Sequence, residues 1–252
     1  ALLAATARRA AVIFAVGLAL NLIPAFDIAT VRIPGVLQRI ALCVLMAAPV
    51  VIWGGARAAL VAAAALLAAY TVPMLAVAVA DANGVVAAGV LEPGRDFASA
   101  IDRAVFGAHL WAKAGTWDPE GLWSTLPAAA SLLGGVVAGH FVTAPRPARK
   151  APWLLATGCL CLVLGWMLDA TLMPINKNLW TPSYAVFMTG WSLVTLSAFH
   201  AALDEAPPSA RAAARRLARP LTIYGMNALF LFAFSGLAAQ LLPPARVAGA
   251  PP

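Results

Sequence analysis

The sequence predicts an all-α, polytopic membrane protein with about seven transmembrane helices. Three observations predict it. Of 252 residues, 62% are hydrophobic and 11% charged, against roughly 45–50% and about 25% in a soluble domain. Mean hydropathy is +0.86. Seven stretches approach the roughly 20 apolar residues that a helix needs to cross hydrocarbon. They lie at 10–24, 35–53, 59–80, 122–142, 151–168, 183–203 and 219–242, and make residues 1–252 one transmembrane domain. Disorder, a coiled coil, collagen, a disulfide-rich module and an ordinary soluble enzyme are excluded, because one core cannot hide so much apolar surface. The expected partner is the lipid bilayer. The net charge of +7 reports orientation rather than nucleic-acid binding.

The first span is expected to start at Ala10, with Arg8 and Arg9 anchoring it at the interface. It lacks the short helix and small-residue cleavage site of a signal peptide. The loop 25–34 then leads into Arg32-Ile33-Pro34-Gly35-Val36-Leu37-Gln38-Arg39. Pro34 is suited to open the second helix, since its missing N–H costs nothing there. Gln38 and Arg39 enter the membrane edge within the first turns, and an early helix start puts Arg32 and Arg39 on about one face. An arginine near a helix N-terminus opposes the dipole, so Arg39 calls for an acid, a carbonyl or an anion. The bland alternative is an interface anchor.

After the third span, the loop 81–121 is too long for a mere connection and is expected to fold over its face of the membrane. It ends in Trp117-Asp118-Pro119-Glu120-Gly121. Asp118 reads as an N-cap, Pro119 as the first helical residue and Glu120 as a first-turn acid. Capping accounts for Asp118 better than for Glu120, whose dipole preference of under about 1 kcal/mol does not demand a carboxylate.

Between the fifth and sixth spans runs Pro174-Ile175-Asn176-Lys177-Asn178-Leu179-Trp180-Thr181-Pro182-Ser183. Thr181 is expected to cap the next helix and Pro182 to open it. The Asn-Lys-Asn run is not needed for that, so Asn176, Lys177 and Asn178 are candidate ligand contacts, with Trp180 and Ser183 beside them. Trp180 also suits an aromatic belt. The Ala/Arg/Pro-rich stretch 204–218 reads as a solvated linker whose arginines meet lipid head groups. In the last span, Asn227 is the best mid-membrane polar residue, as a ligand contact or a helix–helix hydrogen bond.

Alternating spans divide the loops between two sides. One side holds ten Lys and Arg against two acids, Asp204 and Glu205; the other holds seven, Arg246 included, against eight acids. The positive-inside rule places the basic side in the cytoplasm, giving an N-in, C-out chain. All three polar motifs then lie on the outer face. Polar groups at membrane depth are functional candidates by default, and this mixture suits a polar substrate such as a sugar or a phosphate-bearing cofactor. His140 and His200 fall at cytoplasmic helix ends, where a structural role is expected. His109 is the only histidine placed to act as a base on the outer face. Cys43, Cys159 and Cys161 lie in apolar runs as buried, inert thiols. The Ala and Gly content permits close helix packing, within one chain or in a homo-oligomer.

Together, R-I-P-G-V-L-Q-R at 32–39, D-P-E-G at 118–121, N-K-N-L-W-T-P-S at 176–183 and P-L-T-I-Y-G-M-N-A-L at 220–229 resemble the bacterial relatives of heparan-α-glucosaminide N-acetyltransferase. The resemblance runs the length of the chain. It implies an integral acyltransferase of the bacterial inner membrane, taking acetyl from acetyl-CoA and delivering it across the membrane to an amino sugar or glycan. It also implies that Arg32, Arg39, Asn176 and Lys177 bind acceptor or pantetheine oxygens, and that Asp118 and Glu120 orient the acceptor or a base. The family's catalytic histidine stands in an H-x-x-W-x-G-type stretch, and no such stretch occurs in these 252 residues. His109 does not match it. The chain is therefore expected to be a fragment or a shortened member, inactive alone, with its catalytic residue unassigned. The alternatives are a transporter or flippase for a polar glycan or lipid head group, and a non-catalytic scaffold.

Overall fold

The computed structural model describes residues 1–242. Long apolar runs fold as α1 (Leu2–Leu22), α2 (Val36–Trp53), α3 (Gly55–Ala76), α5 (Thr125–Thr143), α6 (Ala151–Thr171) and α7 (Pro182–His200), with Pro49 and Pro73 taken up inside α2 and α3. These six are long and apolar enough to cross a membrane. A seventh candidate is the bent pair α8 (Pro208–Met226) and α9 (Ala228–Leu241). The protein is thus an all-α polytopic membrane protein.

Helix limits differ from the expected spans where local chemistry is permissive. α1 starts at Leu2 and takes in Arg8 and Arg9. Nothing between Leu2 and Ala10 breaks a helix, and Ala and Arg are strong helix formers. The stretch 204–218 is a second departure. A single π-helical turn covers Ala201–Glu205, and α8 follows from Pro208 with Pro207 at its N-cap. Its Ala and Arg content favours helix over linker, and Pro is tolerated at the first helical position. The seventh span is not one straight rod, because α8 and α9 meet at Asn227 with a 68° bend. The expected outward C-terminus and Arg246 lie outside the described residues.

The helices pack through small residues. A Cβ at Gly158 would sit 2.9 Å from the Val194 backbone nitrogen, and one at Gly165 2.8 Å from that of Phe187. α6 and α7 therefore touch backbone to backbone, as small-residue interfaces allow in membranes. α2, α3 and α5 meet around Ala47, Ala59 and Leu133. The cysteines are unpaired: Cys43 is buried and Cys161 half-buried, while Cys159 is exposed on α6, contrary to the expected burial.

Between α3 and α5 the chain leaves the helical layer. It forms an antiparallel pair of short strands, β1 (Val79–Ala80) and β2 (Val86–Ala87), then α4 (Phe97–Phe106) and a 3-10 turn at Gly107–His109. Asp96 caps α4 by accepting from the Ser99 N–H at 3.0 Å. Tyr70, Met74, Ala98, Met173 and Leu179 form a buried cluster beneath this segment. The Tyr70 hydroxyl donates to the Leu179 carbonyl at 2.7 Å, joining α3 to the α6–α7 turn. Loops 23–35, 77–124 and 172–181 consequently share one pole of the molecule. The opposite pole holds the α5–α6 and α7–α8 connections.

Candidate functional site

The cluster at the first pole is built around two arginines. Asn21, near the end of α1, donates to the carbonyls of Arg32 at 2.8 Å and Pro34 at 3.2 Å. That fixes the loop before α2. His109 secures it from the other side: its carbonyl accepts from the Ile33 N–H at 3.0 Å, and its Nδ1 lies 2.8 Å from the Val31 carbonyl. α2 begins only at Val36, so Arg32 stands outside the helix. The expected shared helix face does not exist. Arg32 and Arg39 meet instead by gripping the same turn, residues 118–124.

Arg32 holds Asp118 in a two-point contact, Nε to Oδ2 at 2.8 Å and Nη2 to Oδ1 at 2.5 Å. The same Nη2 reaches Glu120 Oε2 at 2.5 Å. Planar pairing of this kind is the strongest form of arginine–carboxylate contact. Burial works to lower the Arg32 pKa, but hydrogen bonds and charge from Asp118 and Glu120 outweigh it and raise the value above the ordinary one. The Asp118 side chain is 0% exposed. It does not cap α5, which starts seven residues later at Thr125. Its Oδ1 accepts from the Glu120 N–H at 2.9 Å, closing a tight turn in which Glu120 is not helical.

Arg39 donates to the Pro119 carbonyl at 2.5 Å and to Ser124 Oγ. Its guanidinium carbon lies 5.0 Å from the Trp180 ring centroid, within cation–π range. Trp180 is held by its own bond to Ser131 Oγ at 3.3 Å and by an edge contact with Tyr184. Its backbone φ of +53° is uncommon for a non-glycine residue. That conformation turns the chain from the Asn-Lys-Asn run into α7.

Trp180 is the only residue of the third motif that the described contacts connect to the arginines. Asn176 organises its own turn, its Oδ1 accepting from the N–H groups of Asn178 at 2.9 Å and Leu179 at 3.3 Å. Lys177 and Asn178 are exposed and make no side-chain contact with the cluster among the described residues. Ser183 is buried and bonded to Thr181 at 3.0 Å. Thr181 occupies the N-cap position of α7, but its hydroxyl serves the preceding loop, donating to the Pro174 carbonyl. Asn227 stands apart from the cluster. Its amide donates back to the Ile223 carbonyl at 2.9 Å, so the expected bond between helices is a bond within α8.

Asp102 belongs to the site, although its sequence context does not mark it. It is buried on α4, and its Oδ1 accepts from the Leu122 N–H at 2.8 Å. Burial pushes its carboxyl up to about 7, and the charges of Asp118 and Asp96 push the same way. Gly121 makes the approach possible: a Cβ there would lie 1.7 Å from Asp102 Oδ2. A carboxyl poised near neutrality in a polar cluster is a candidate acid or base.

Two cavities flank the arginines. One, of about 230 Å³, is lined by Asn21, Asp27, Thr30, Arg32, Trp111 and Gln240. The Trp111 ring lies 5.8 Å from the Arg32 guanidinium. This cavity offers amides, a carboxylate, a hydroxyl and an aromatic face, a set that suits a polar, hydroxyl-bearing ligand. The other lies between α1, α2 and α4 and includes Gln38, Arg39 and Glu120. Comparison with known proteins finds no matching family model and no matching curated protein.

Proposed function

We propose that this chain forms part of a membrane acyltransferase that moves an acetyl group from acetyl-CoA to an amino sugar or glycan on the outer face. The carrying observation is the convergence of residues eighty or more positions apart in sequence onto one turn, Arg32 and Arg39 on 118–124. Two motifs of the resemblance, 32–39 and 118–121, meet there, and Trp180 of a third lies against Arg39. The polar cavity beside Arg32 and Trp111 is the acceptor's place in this reading. The two arginines hold the wall between acceptor and donor. Acetyl-CoA supplies the acyl group; the acceptor nitrogen bonds to its carbonyl carbon as the C–S bond breaks, and the amine proton passes to a base.

The test is acetyl transfer in sealed vesicles carrying the protein, with labelled acetyl-CoA and glucosamine on opposite sides. The expected result is thiol release that depends on glucosamine, with labelled N-acetylglucosamine as product. Arg39→Ala is expected to lower it by about tenfold or more, the loss of a buried charged contact. No transfer by the full protein overturns the reading. Movement of the sugar without acetyl-CoA replaces it with transport.

A further inference from the structure

α8 stands apart from the helical bundle. None of its residues is buried, and it packs chiefly on the turn Ala201–Glu205 before it and on α9 after it. Its side chains are nonetheless sorted by character. At about 100° per residue, Arg211, Arg215, Arg216 and Arg219 span about 140° of the helix circumference, and Leu217, Leu221 and Tyr224 occupy about 60° on the opposite side. No acid lies between Pro208 and Met226. Leu217 is 81% exposed and Tyr224 65%, so the described residues leave the apolar side open. Arg211 and Arg215 are engaged in the connection: their Nε atoms donate to the carbonyls of Ala206 at 3.3 Å and Leu203 at 3.2 Å. Arg216 and Arg219 are exposed and have no side-chain partner among the described residues.

Helix lengths fix the depth at which α8 lies. The Gln240 amide reaches the carbonyls of Ile23 at 3.1 Å and Leu20 at 3.2 Å, so α9 ends level with the end of α1 at the Arg32 pole. The 14 residues of α9 rise about 21 Å, short of the roughly 30 Å hydrocarbon layer. The corner at Asn227 therefore stays inside the membrane. α8 begins at the basic pole, just after Glu205, which accepts from the N–H groups at the start of α6. Its 19 residues measure about 28 Å. With α9 upright, the 68° bend turns that length into about 11 Å of depth. The two helices together then cover about 32 Å, close to the layer to be crossed. α8 thus lies nearer the membrane plane than its normal, at the depth of the head groups and upper acyl chains.

We propose that α8 is an interfacial helix that docks on anionic phospholipid at the basic pole. Arg216 and Arg219 donate to head-group phosphate oxygens, and Leu217, Leu221 and Tyr224 sink among the acyl chains of the same leaflet. Cations opposite an apolar stripe are what a helix lying in the interface needs. Guanidinium groups pair with phosphate oxygens at two points, while their stems lie along apolar surface. A zwitterionic head group brings its own cation; an anionic one leaves a net charge for the arginines to meet. Docking sets the depth of α9, and with it the Gln240 side chain that lines the cavity beside Arg32.

The experiment uses the full chain. Native mass spectrometry in detergent compares the Kd of phosphatidylglycerol with that of phosphatidylcholine. Phosphatidylglycerol is expected to bind at least about tenfold more tightly, an arginine near the head groups being worth about fivefold. Arg216→Gln with Arg219→Gln should weaken phosphatidylglycerol by about tenfold or more and leave phosphatidylcholine unchanged. Arg57→Gln with Arg146→Gln removes the same charge from exposed arginines of the same pole outside α8, and should keep the preference. Depth is read in nanodiscs containing both lipids, with nitroxide labels on protein whose three cysteines are replaced by serine. A label on Leu217→Cys should be relaxed by oxygen, which concentrates in hydrocarbon, and one on Ala212→Cys by a water-soluble nickel chelate. Equal affinity for the two lipids overturns the proposal, as does an equal loss in the two double variants. Competition by glycerol 3-phosphate as strong as that of the lipid also overturns it, since the apolar side would then play no part. A Leu217→Cys label shielded from both relaxants assigns the apolar side to another protein segment or a second copy. One relaxed by the nickel chelate puts α8 in water. Either result overturns the docking on lipid.

Discussion

The two poles of the molecule use charge in opposite ways. At the centre of the Arg32 pole, Arg32, Arg39, Asp118 and Glu120 are buried or half-buried and meet across long stretches of sequence, while exposed local pairs such as Arg95–Glu92 stay at its margin. At the other pole they are mostly exposed and paired locally or loosely. Arg215 lies 3.5 Å from Asp204, and Arg149 3.8 Å from Glu205, with both arginines largely exposed. Arg8, Arg9, Arg57 and Arg146 are exposed as well. One feature of the basic pole behaves like the other pole: Glu205 accepts from the N–H groups of Lys150 and Ala151, the latter at 3.0 Å, and so serves the start of α6 from a distant segment. The difference teaches where specificity resides. Exposed arginines meet water or lipid head groups and are nearly interchangeable. Buried ones require particular partners, since removing one partner strands the other.

This contrast is testable by substitution, beginning with the largest effect. Asp118→Ala leaves Arg32 without its two-point partner and is expected to destabilise by about 3–5 kcal/mol, read as a fall in thermal unfolding temperature in detergent. A shift no larger than that of an exposed arginine variant would erase the distinction between the poles. Gly121→Ala drives a methyl group into the Asp102 carboxylate. The expected loss is about 1–3 kcal/mol or more from overpacking, and Asp102→Ala should relieve part of it in a double-mutant cycle.

Asp102 adds a pH signature to the same pole. Its carboxyl ordinarily titrates near 3.8 and here near 7, so the folded state binds the proton more tightly than the unfolded state. Stability from this group is therefore full below about pH 4 and is lost progressively as pH rises to about 7. Asp102→Asn should flatten that slope between about pH 4 and 7, the window between the two values. An unchanged slope would assign it elsewhere.

Effects at the basic pole are smaller. Glu205→Ala removes the acceptor at the start of α6 and is expected to cost about 0.5–2 kcal/mol, as other lost caps do. Arg215→Ala should change stability by less than about 0.5 kcal/mol. A larger loss at Arg215 than at Glu205 would invert the comparison at this pole.

Much of the helical frame was legible in the sequence, because apolar length is a local property of each segment. α2, α5, α6 and α7 begin within a few residues of the expected spans. Local reasoning failed where two local rules competed. The 204–218 stretch carried prolines and arginines that suggested a linker, but its alanines and arginines favour helix, and its prolines stand where a helix begins. Asp118-Pro119-Glu120 has the composition of a helix start, yet Arg32 draws the two carboxylates into a turn before the helix. In the third motif, Asn176 was needed for the turn after all, and Trp180 reached the arginines by way of a left-handed backbone step.

Composition and hydropathic length by themselves determined that this protein is a bundle of membrane-spanning helices, because burial in hydrocarbon is a property of each segment taken alone. The polar motifs were visible as residues out of place in such segments. Tertiary structure alone decided which of them meet. It brought Arg32 and Arg39 onto one turn, recruited Asp102 through the missing side chain of Gly121, and left Lys177 and Asn178 at the surface. Pairing between residues some eighty positions apart depends on helix packing, and no local propensity encodes it.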